Sequence, residues 1–215
     1  MSRTGYCLAT CLVMWSFLSA STFAQLQMAG SGGSPPALQD SFVILLPDRE
    51  LAYAFTTAPG VPKTITELQV AAYHYAGIDG DSATFRIYSD VAGAPGTELV
   101  SFVGTGLPSL PAAEPPSAAP ILSLPPSASV ALPSLTTFWL AASTADEQVN
   151  WVHGLNALSQ GAIRLAGESW NVDPGANGNA PAFALIGTPM PEPSALALAT
   201  LSMLGVARLR RSSRT

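Results

Sequence analysis

The closest approach to a metal-binding pattern in this sequence is a pair of carboxylates, in the stretch Asp79-Gly80-Asp81-Ser82. Calcium is a hard cation that prefers several clustered oxygen ligands. The spacing of an EF-hand loop fails, because Ala83 stands where a third acidic or amide ligand is required. A tight turn between two strands is therefore the favoured interpretation. We predict no bound metal and no cofactor, and calcium at Asp79 and Asp81 stays open as the alternative.

Residues that could perform catalysis are few and scattered. The two histidines, His74 and His153, lie far apart in the sequence, and no Gly-x-Ser-x-Gly elbow accompanies them. A hydrolase would also be expected to present paired carboxylates, whereas the acidic residues here lie at predicted strand ends with no recognisable partner. We predict that the protein is not an enzyme. An extracellular hydrolase remains an alternative, because pairing of side chains is spatial.

Aromatic residues near the end of the chain suggest contact with a sugar. Trp151 and Trp170 could each stack on a pyranose ring, with His153 and Asp146 nearby in the sequence. The alternative, which we favour, is that Trp139 and Trp151 fill the core, as large aromatic side chains usually do. Trp170 lies among Gly, Ser and Asn residues and is the tryptophan that we expect to be most exposed.

The charge distribution excludes one class of partner. Between Gln25 and Met190 the sequence has four basic residues against thirteen acidic ones, a net charge of about -9. Phosphate backbones repel such a surface, so we predict no nucleic-acid binding. Charged residues make up 11% of the chain, about half the usual share of about 25%. Ser, Thr, Gly, Ala, Pro and Asn must therefore cover the surface.

The elements that position these residues are predicted to be strands. Residues 42–188 contain short apolar runs, rich in β-branched and aromatic residues and interrupted every 8 to 12 residues by turn formers, which is typical of an all-β sandwich or barrel. Residues 25–41 are rich in Gly, Ser and Pro and predict a flexible lead-in. Residues 104–120 contain five prolines and predict a long extended loop. The predicted strands are 50–57, 64–75, 83–89, 98–103, 121–124, 136–142, 148–152, 162–166 and 181–186.

Two of these runs carry more detail. In Ala83–Ser89, Phe85 and Ile87 alternate with polar residues, which predicts one buried and one wet face. In Thr64–Tyr75 the apolar positions change phase once, which predicts a β-bulge.

The first 24 residues have the three-part pattern of a secretory signal peptide. Arg3 precedes an apolar stretch from Leu8 to Ala20, and small residues lie before a predicted cleavage between Ala24 and Gln25. Both cysteines lie in the first eleven residues. Removal of the segment therefore leaves a protein without disulfides, thiolate catalysis or Cys-ligated metal.

The C-terminus, residues 189–215, has a second set of signals. Pro191-Glu192-Pro193 is followed by an apolar run and then by Arg208, Arg210 and Arg211. This order resembles the PEP-CTERM sorting signal of Gram-negative bacteria. The resemblance implies processing at the Pro-Glu-Pro motif by an exosortase, a membrane-embedded cysteine transpeptidase. It also implies association with exopolysaccharide or biofilm surfaces.

The physical chemistry of the tail agrees with this reading. A Pro-x-Pro segment is rigid and extended, and the arginines are predicted to stay cytoplasmic by the positive-inside rule. The apolar run would form a short transmembrane helix of about 21 Å, less than the ~30 Å hydrocarbon core, so we expect at least transient membrane tethering.

The body resembles a second family. Phe85–Leu99 (FRIYSDVAGAPGTEL), with Phe138-Trp139-Leu140 and Trp151, is similar to the choice-of-anchor R type of bacterial surface domain. That resemblance implies a jelly-roll-like sandwich and supplies no catalytic residue. The sequence thus predicts an exported, exosortase-sorted protein of the cell surface or extracellular matrix with a non-enzymatic structural role. The alternative is a carbohydrate-binding module that acts on exopolysaccharide.

Overall fold

The computed structural model describes residues 26–30, 34–78, 80–158, 160–173 and 179–190. In these residues the chain is all-β, with two sheets whose strands pair antiparallel almost throughout. The strands, in chain order, are β1 (Leu26–Gly30), β2 (Leu38–Leu45), β3 (Arg49–Thr56), β4 (Lys63–Tyr75), β5 (Ser82–Val91), β6 (Ala94–Thr105), β7 (Ser109–Leu110), β8 (Ile121–Leu124), β9 (Ala131–Leu132), β10 (Thr137–Ser143), β11 (Val149–Leu158), β12 (Gly161–Leu165), β13 (Asn171–Asp173), β14 (Asn179–Pro181) and β15 (Phe183–Pro189).

The first sheet is built around the long strand β4. Its main order is β1-β15-β4-β11-β14, and β2 pairs with β11. The short strands β8 and β9 add to β4 in antiparallel fashion, and β7 adds to it in parallel. The second sheet has the simpler order β13-β12-β3-β10-β5-β6. Both sheets thus combine strands that are distant in the sequence.

The main core lies between the two sheets. Phe85 and Leu140 from the second sheet pack in one cluster with Leu68, Trp151 and Leu185 from the first, and all five are nearly inaccessible to solvent. The alternation in β5 explains how this cluster forms, because Phe85 and Ile87 point inward and the residues between them point outward. The all-β expectation and the buried face of β5 are therefore confirmed, with two packed sheets as in a β-sandwich.

The predicted bulge in Thr64–Tyr75 is also confirmed. Ile186 of β15 pairs with Glu67 of β4, but the next residue, Gly187, pairs with Ile65, which leaves Thr66 as the extra residue. This insertion keeps Ile65 and Leu68 on the same buried face, although two residues lie between them instead of the usual one.

The flexible lead-in predicted for residues 25–41 is wrong for two segments. Leu26–Gly30 forms β1, which pairs with β15, and β2 begins at Leu38. The composition of this region hides a strand, because only a few residues are apolar, yet Met28 is buried in the main core. A strand that completes an existing sheet needs little hydrophobic sequence of its own, since the neighbouring strand supplies its backbone partners.

The proline-rich segment 104–120 covers the outer face of the first sheet. It contains the end of β6, the short strand β7 and one 3-10 turn at Pro116–Ala118. Leu110 and Ala119 from this segment are buried against Tyr73 and Val152. The expectation of a long extended loop is therefore correct only in part, because strand, turn and 3-10 residues interrupt the segment.

Candidate functional site

The candidate site is a polar groove on the outer face of the second sheet. Its volume is about 330 Å³, near the lower end of the range of small-molecule sites. The lining residues are Pro47, Asp48, Arg49, Glu50, Arg86, Tyr88, Glu98, Ser143, Thr144, Arg164, Leu165, Ala166 and Gly167.

Cross-strand register explains why these residues meet. Residues that lie opposite each other in antiparallel strands point to the same face, and the groove is made of three such rows. The first row has Glu50 of β3 between Ser143 of β10 and Arg164 of β12. The other two rows run parallel to it along the same face of the sheet.

The middle row is made mostly of alanines. Ala52 lies between Ala141 and Ala162, and the row ends at Arg86 of β5. The third row has Trp139 opposite Tyr88, which in turn lies opposite Glu98 of β6. Because the alanine side chains are short, long side chains from the neighbouring rows can lie across them.

Glu50 is the centre of the groove. Its side chain is only 9% exposed, and both carboxylate oxygens accept hydrogen bonds. Arg86 Nη1 and the Tyr88 hydroxyl donate to Oε1, each at 3.2 Å, and Arg164 Nη2 donates to Oε2. Arg86 Nη1 also donates to the Ser143 hydroxyl at 2.7 Å. A buried carboxylate of this kind is stable only when such partners compensate for its lost hydration.

Aromatic rings hold the guanidinium group of Arg164. Its central carbon lies 4.5 Å from the ring centroid of Trp170 and 5.8 Å from that of Tyr88, within the range of cation–π attraction. The rings of Tyr88 and Trp170 meet edge to face at 5.7 Å. Arg164 therefore contacts aromatic rings as well as the carboxylate of Glu50.

Two pKa shifts follow from this arrangement. Burial, followed by the charge of Glu50, raises the pKa of Tyr88 to about 12, so its hydroxyl remains a donor at neutral pH. Burial alone would lower the pKa of Arg164, but the hydrogen bond and charge of Glu50 outweigh it and raise that pKa above its ordinary value. Both groups thus keep the protonation state that Glu50 requires.

The rim of the groove is less tightly held. Glu98 is 46% exposed, and its carboxylate lies 3.6 Å from Arg86 Nε, which is too far for a hydrogen bond. Asp48 and Arg49 form a separate exposed pair at 3.1 Å. The floor therefore has two guanidinium groups and one carboxylate, a formal charge of +1, and the loosely placed Glu98 lies beside them.

Trp151 does not lie at this site. It is fully buried in the main core, where its ring packs edge to face against Phe85 at 5.3 Å and against Tyr53 at 6.0 Å. Its indole N–H donates to the carbonyl of Ala182 at 3.2 Å. Its proposed contact with a glycan is therefore wrong, and the core interpretation of Trp151 is confirmed.

Trp139 is also fully buried, but on the outer side of the second sheet. It belongs to a small cluster with Tyr88 and the alanines of the middle row. Its indole N–H donates to the carboxylate of Asp90 at 2.8 Å. Trp170 packs against this cluster and is half-buried, so the expectation that it would be the most exposed of the three is met within the described residues.

The calcium alternative at Asp79 and Asp81 stays untested, because only Asp81 lies in the described part of the chain. Asp81 is exposed and lies 3.7 Å from Nε2 of His74, whose other ring nitrogen lies 2.8 Å from the carbonyl oxygen of Ile78. Asp79 lies outside the described residues. Across the described ranges, no group of three or more His, Cys, Asp or Glu residues is placed to hold a metal.

The sorting residues cannot be placed in this structure. The predicted cleavage residues Ala24 and Gln25, the motif Pro191-Glu192-Pro193 and the arginines Arg208, Arg210 and Arg211 lie outside the described residues. Within the part of the chain that the structure does describe, no helix is long and apolar enough to span a membrane.

The groove residues were missed by sequence reasoning, although one signal pointed to them. The alternation in β5 predicts that the side chains of Arg86 and Tyr88 point away from the core. The neighbouring sequence does not show which residues they contact. Glu50 lies 36 residues from Arg86 and 114 from Arg164, so only the strand pairing reveals the cluster.

Family models, curated proteins and solved structures give no match to this chain.

Proposed function

We propose that this protein is exported, sorted by an exosortase and retained at the cell surface or in the extracellular matrix, where its role is structural and non-enzymatic. The observation that carries the proposal is the position of the folded domain between the two terminal signals. β1 begins at Leu26, just after the predicted cleavage at Gln25, and β15 ends at Pro189, just before Pro191. Removal of both signals would therefore leave every described strand in place.

The described domain also fits a surface role. It contains no cysteine, so its stability outside the cytoplasm rests on the sandwich core. Consecutive strands pass from one sheet to the other, as in β3, β4 and β5 and again in β10, β11 and β12. This alternation supports the jelly-roll-like arrangement that the choice-of-anchor resemblance implies.

The state of Glu50 supports a non-enzymatic role. Glu50 is the most buried carboxylate of the groove, and both of its oxygens already accept hydrogen bonds from Arg86, Tyr88 and Arg164. A general base must be within reach of the substrate proton, whereas the Glu50 side chain is only 9% exposed and is held by these three donors. Glu50 is therefore better suited to hold its neighbours than to accept a proton.

The test is to follow the protein in its native host. We expect the exported form to begin at Gln25 and to pass through a membrane-tethered intermediate to the surface or the medium. Replacement of Pro191, Glu192 and Pro193 by alanine should trap the intermediate, with the mass of the uncleaved tail. Full-length protein in the cytoplasm, or release that ignores the motif, would contradict the proposal.

A second candidate function is binding of exopolysaccharide. The groove favours it, because it is open, polar and large enough for one ring-sized ligand, and Trp170 lies at its side. Affinity electrophoresis of the exported protein in gels that contain individual polysaccharides tests this function. Unchanged mobility in every gel would exclude it and leave the structural role.

A further inference from the structure

We infer that the groove on the outer face of the second sheet binds the carboxylate of a sugar acid, such as a uronate residue of an anionic polysaccharide. This inference deepens the second candidate function and rests on it. The observation that carries it is that Arg86 and Arg164, on the groove floor, share the single carboxylate of Glu50.

The arginines retain donors that no protein group uses. Arg164 uses Nη2 for Glu50 and Tyr88, and its Nε and Nη1 have no partner among the described residues. Arg86 uses Nη1 for Glu50 and Ser143, and its Nη2 has no partner in the same part of the chain. Both side chains line the groove and are 26% to 33% exposed, so these N–H groups are available to a ligand.

The donors are also held in place before a ligand arrives. Arg164 lies against Trp170 and Tyr88 and is bonded to Glu50, while Arg86 is bonded to Glu50 and Ser143. Immobilising an arginine on binding normally costs side-chain entropy, and here that cost is already met in folding. A planar guanidinium group in fixed orientation favours a planar carboxylate, which it can bind through two parallel hydrogen bonds where two N–H groups on one edge are free. On Arg86 these are Nε and Nη2, with the exposed Glu98 3.6 Å from Nε, and Arg164 can add a single hydrogen bond from Nε or Nη1.

Charge selects a monoanion over a dianion. The formal charge of the floor is +1, whereas the rim carries the exposed carboxylate of Glu98 and the mutually paired Asp48 and Arg49, which cancel. A phosphate dianion would meet Glu98 with a second negative charge. A single carboxylate matches the floor and lets Glu98 turn toward the hydroxyl groups of the ligand.

Groups that suit hydroxyls surround the arginines. The Ser143 hydroxyl accepts from Arg86, and its own proton has no acceptor among the described residues. The exposed carboxylate of Glu98 can accept from a sugar hydroxyl, since its only neighbour of opposite charge in the described chain lies at 3.6 Å. A ligand with one carboxylate and several hydroxyls therefore fits the groove better than a simple organic acid.

The experiment measures binding of the purified exported protein to polygalacturonate and to the same polymer after its carboxyl groups have been reduced to alcohols. We expect binding to the first and at least about tenfold weaker binding to the second, as for a lost charge-assisted hydrogen bond. Alginate and hyaluronan identify which uronate is preferred. Equal binding to the reduced polymer, equal binding to dextran sulfate, or no binding to any of the three uronate polymers would overturn the inference.

Two variants locate the site. Arg86→Gln should weaken binding about tenfold or more, with a melting curve recorded to confirm that the variant is folded. Glu98→Gln keeps a side-chain oxygen that can accept from a sugar hydroxyl but removes a negative charge beside the ligand carboxylate, so it should strengthen binding, an effect that loss of structure would not produce. Glu114→Gln, which makes the same charge change on the exposed proline-rich segment, is the matched control and should leave binding unchanged. Weaker binding by Glu98→Gln would overturn the assignment.

These results separate the inference from the functions on which it rests. Binding to neutral polysaccharides alone would keep the second candidate function and reject the sugar acid. Localisation of the protein is measured independently, so failure of export leaves the binding result intact.

Discussion

At the scale of single residues, Glu50 organises the outer face of the second sheet. It is a nearly buried carboxylate between two arginines, and a tyrosine hydroxyl completes its hydrogen bonds. Removal of the central charge leaves Arg164 without a carboxylate partner and Arg86 with only Glu98, at 3.6 Å.

We predict that Glu50→Gln lowers the free energy of unfolding by about 2 kcal/mol. This is less than the roughly 3–5 kcal/mol expected for a fully buried pair, because both arginines are partly exposed to solvent. Urea denaturation measures the change. Asp48→Asn is the control, since its exposed pair with Arg49 should contribute less than about 1 kcal/mol. Equal effects of the two variants would show that Glu50 has no special role.

The two tryptophans that sequence reasoning linked to glycans should now behave differently. We predict that Trp151→Ala costs about 3–5 kcal/mol, because it opens a cavity among Phe85, Tyr53 and their neighbours in the main core. Trp170→Ala should cost about 1 kcal/mol, the contribution of its contact with Arg164. Thermal or urea unfolding distinguishes them, and a mild effect of Trp151→Ala would contradict its placement.

His153 gives the domain a dependence on pH. Burial lowers its pKa below the ordinary value, and its Nδ1 lies 3.0 Å from the Ser41 hydroxyl. Between about pH 6.5 and the lowered pKa, the unfolded state therefore binds more protons than the folded state. The free energy of unfolding should fall as the pH falls through this window.

The measurement compares urea denaturation at about pH 7.5 and about pH 5 for the wild type and for His153→Gln. The difference between the two pH values should be smaller in the variant, because the other titrating groups are common to both proteins. A larger pH dependence in the variant would show that protonated His153 is stabilised by the fold.

At the scale of secondary-structure elements, the sequence predicts the strands of the core much better than those of the periphery. The run in β5 alternates, the run in β4 alternates with one change of phase, and the run in β10 is apolar except at its ends, so each pattern indicates a strand. β1 has no such pattern, and it forms because β15 offers an open edge and a pocket for Met28. The groove could not be predicted either, because its residues are distant in the sequence and meet only when the strands pair.

β1 provides a direct test of this correction. We predict that Met28→Ala lowers the free energy of unfolding by about 2–4 kcal/mol, because the Met28 side chain is 2% exposed and packs in the main core. Gln27→Ala, on the adjacent residue of the same strand, should change it by less than about 0.5 kcal/mol. Small effects from both variants would restore the prediction of a flexible lead-in.

At the scale of the whole molecule, the two sheets share one core. Residues from both contribute to the main cluster, and the chain crosses between them repeatedly. If the two sheets separate, the apolar inner faces of both therefore become exposed to solvent.

We predict that the protein unfolds in urea in a single transition. Tryptophan fluorescence reports on Trp151 in the main core and on Trp139 and Trp170 at the outer cluster of the second sheet, whereas far-ultraviolet circular dichroism reports on all strands. The two curves should coincide, as expected for one cooperative unit. Separate midpoints would show that the outer cluster of the second sheet melts independently.

The pairing of β1 with β15 determines how the domain would carry a mechanical load. β15 lies between β1 and β4, and its hydrogen bonds run perpendicular to the strand. A pull on Pro189 along the axis of β15, opposed at the β1 and β4 strands on either side, loads both ladders in shear, so many bonds must break together. A pull between Leu26 and Pro189, which lie near the same end of the paired strands, opens the β1 ladder one bond at a time. We therefore expect the domain to resist a larger force along β15 at Pro189 than between Leu26 and Pro189.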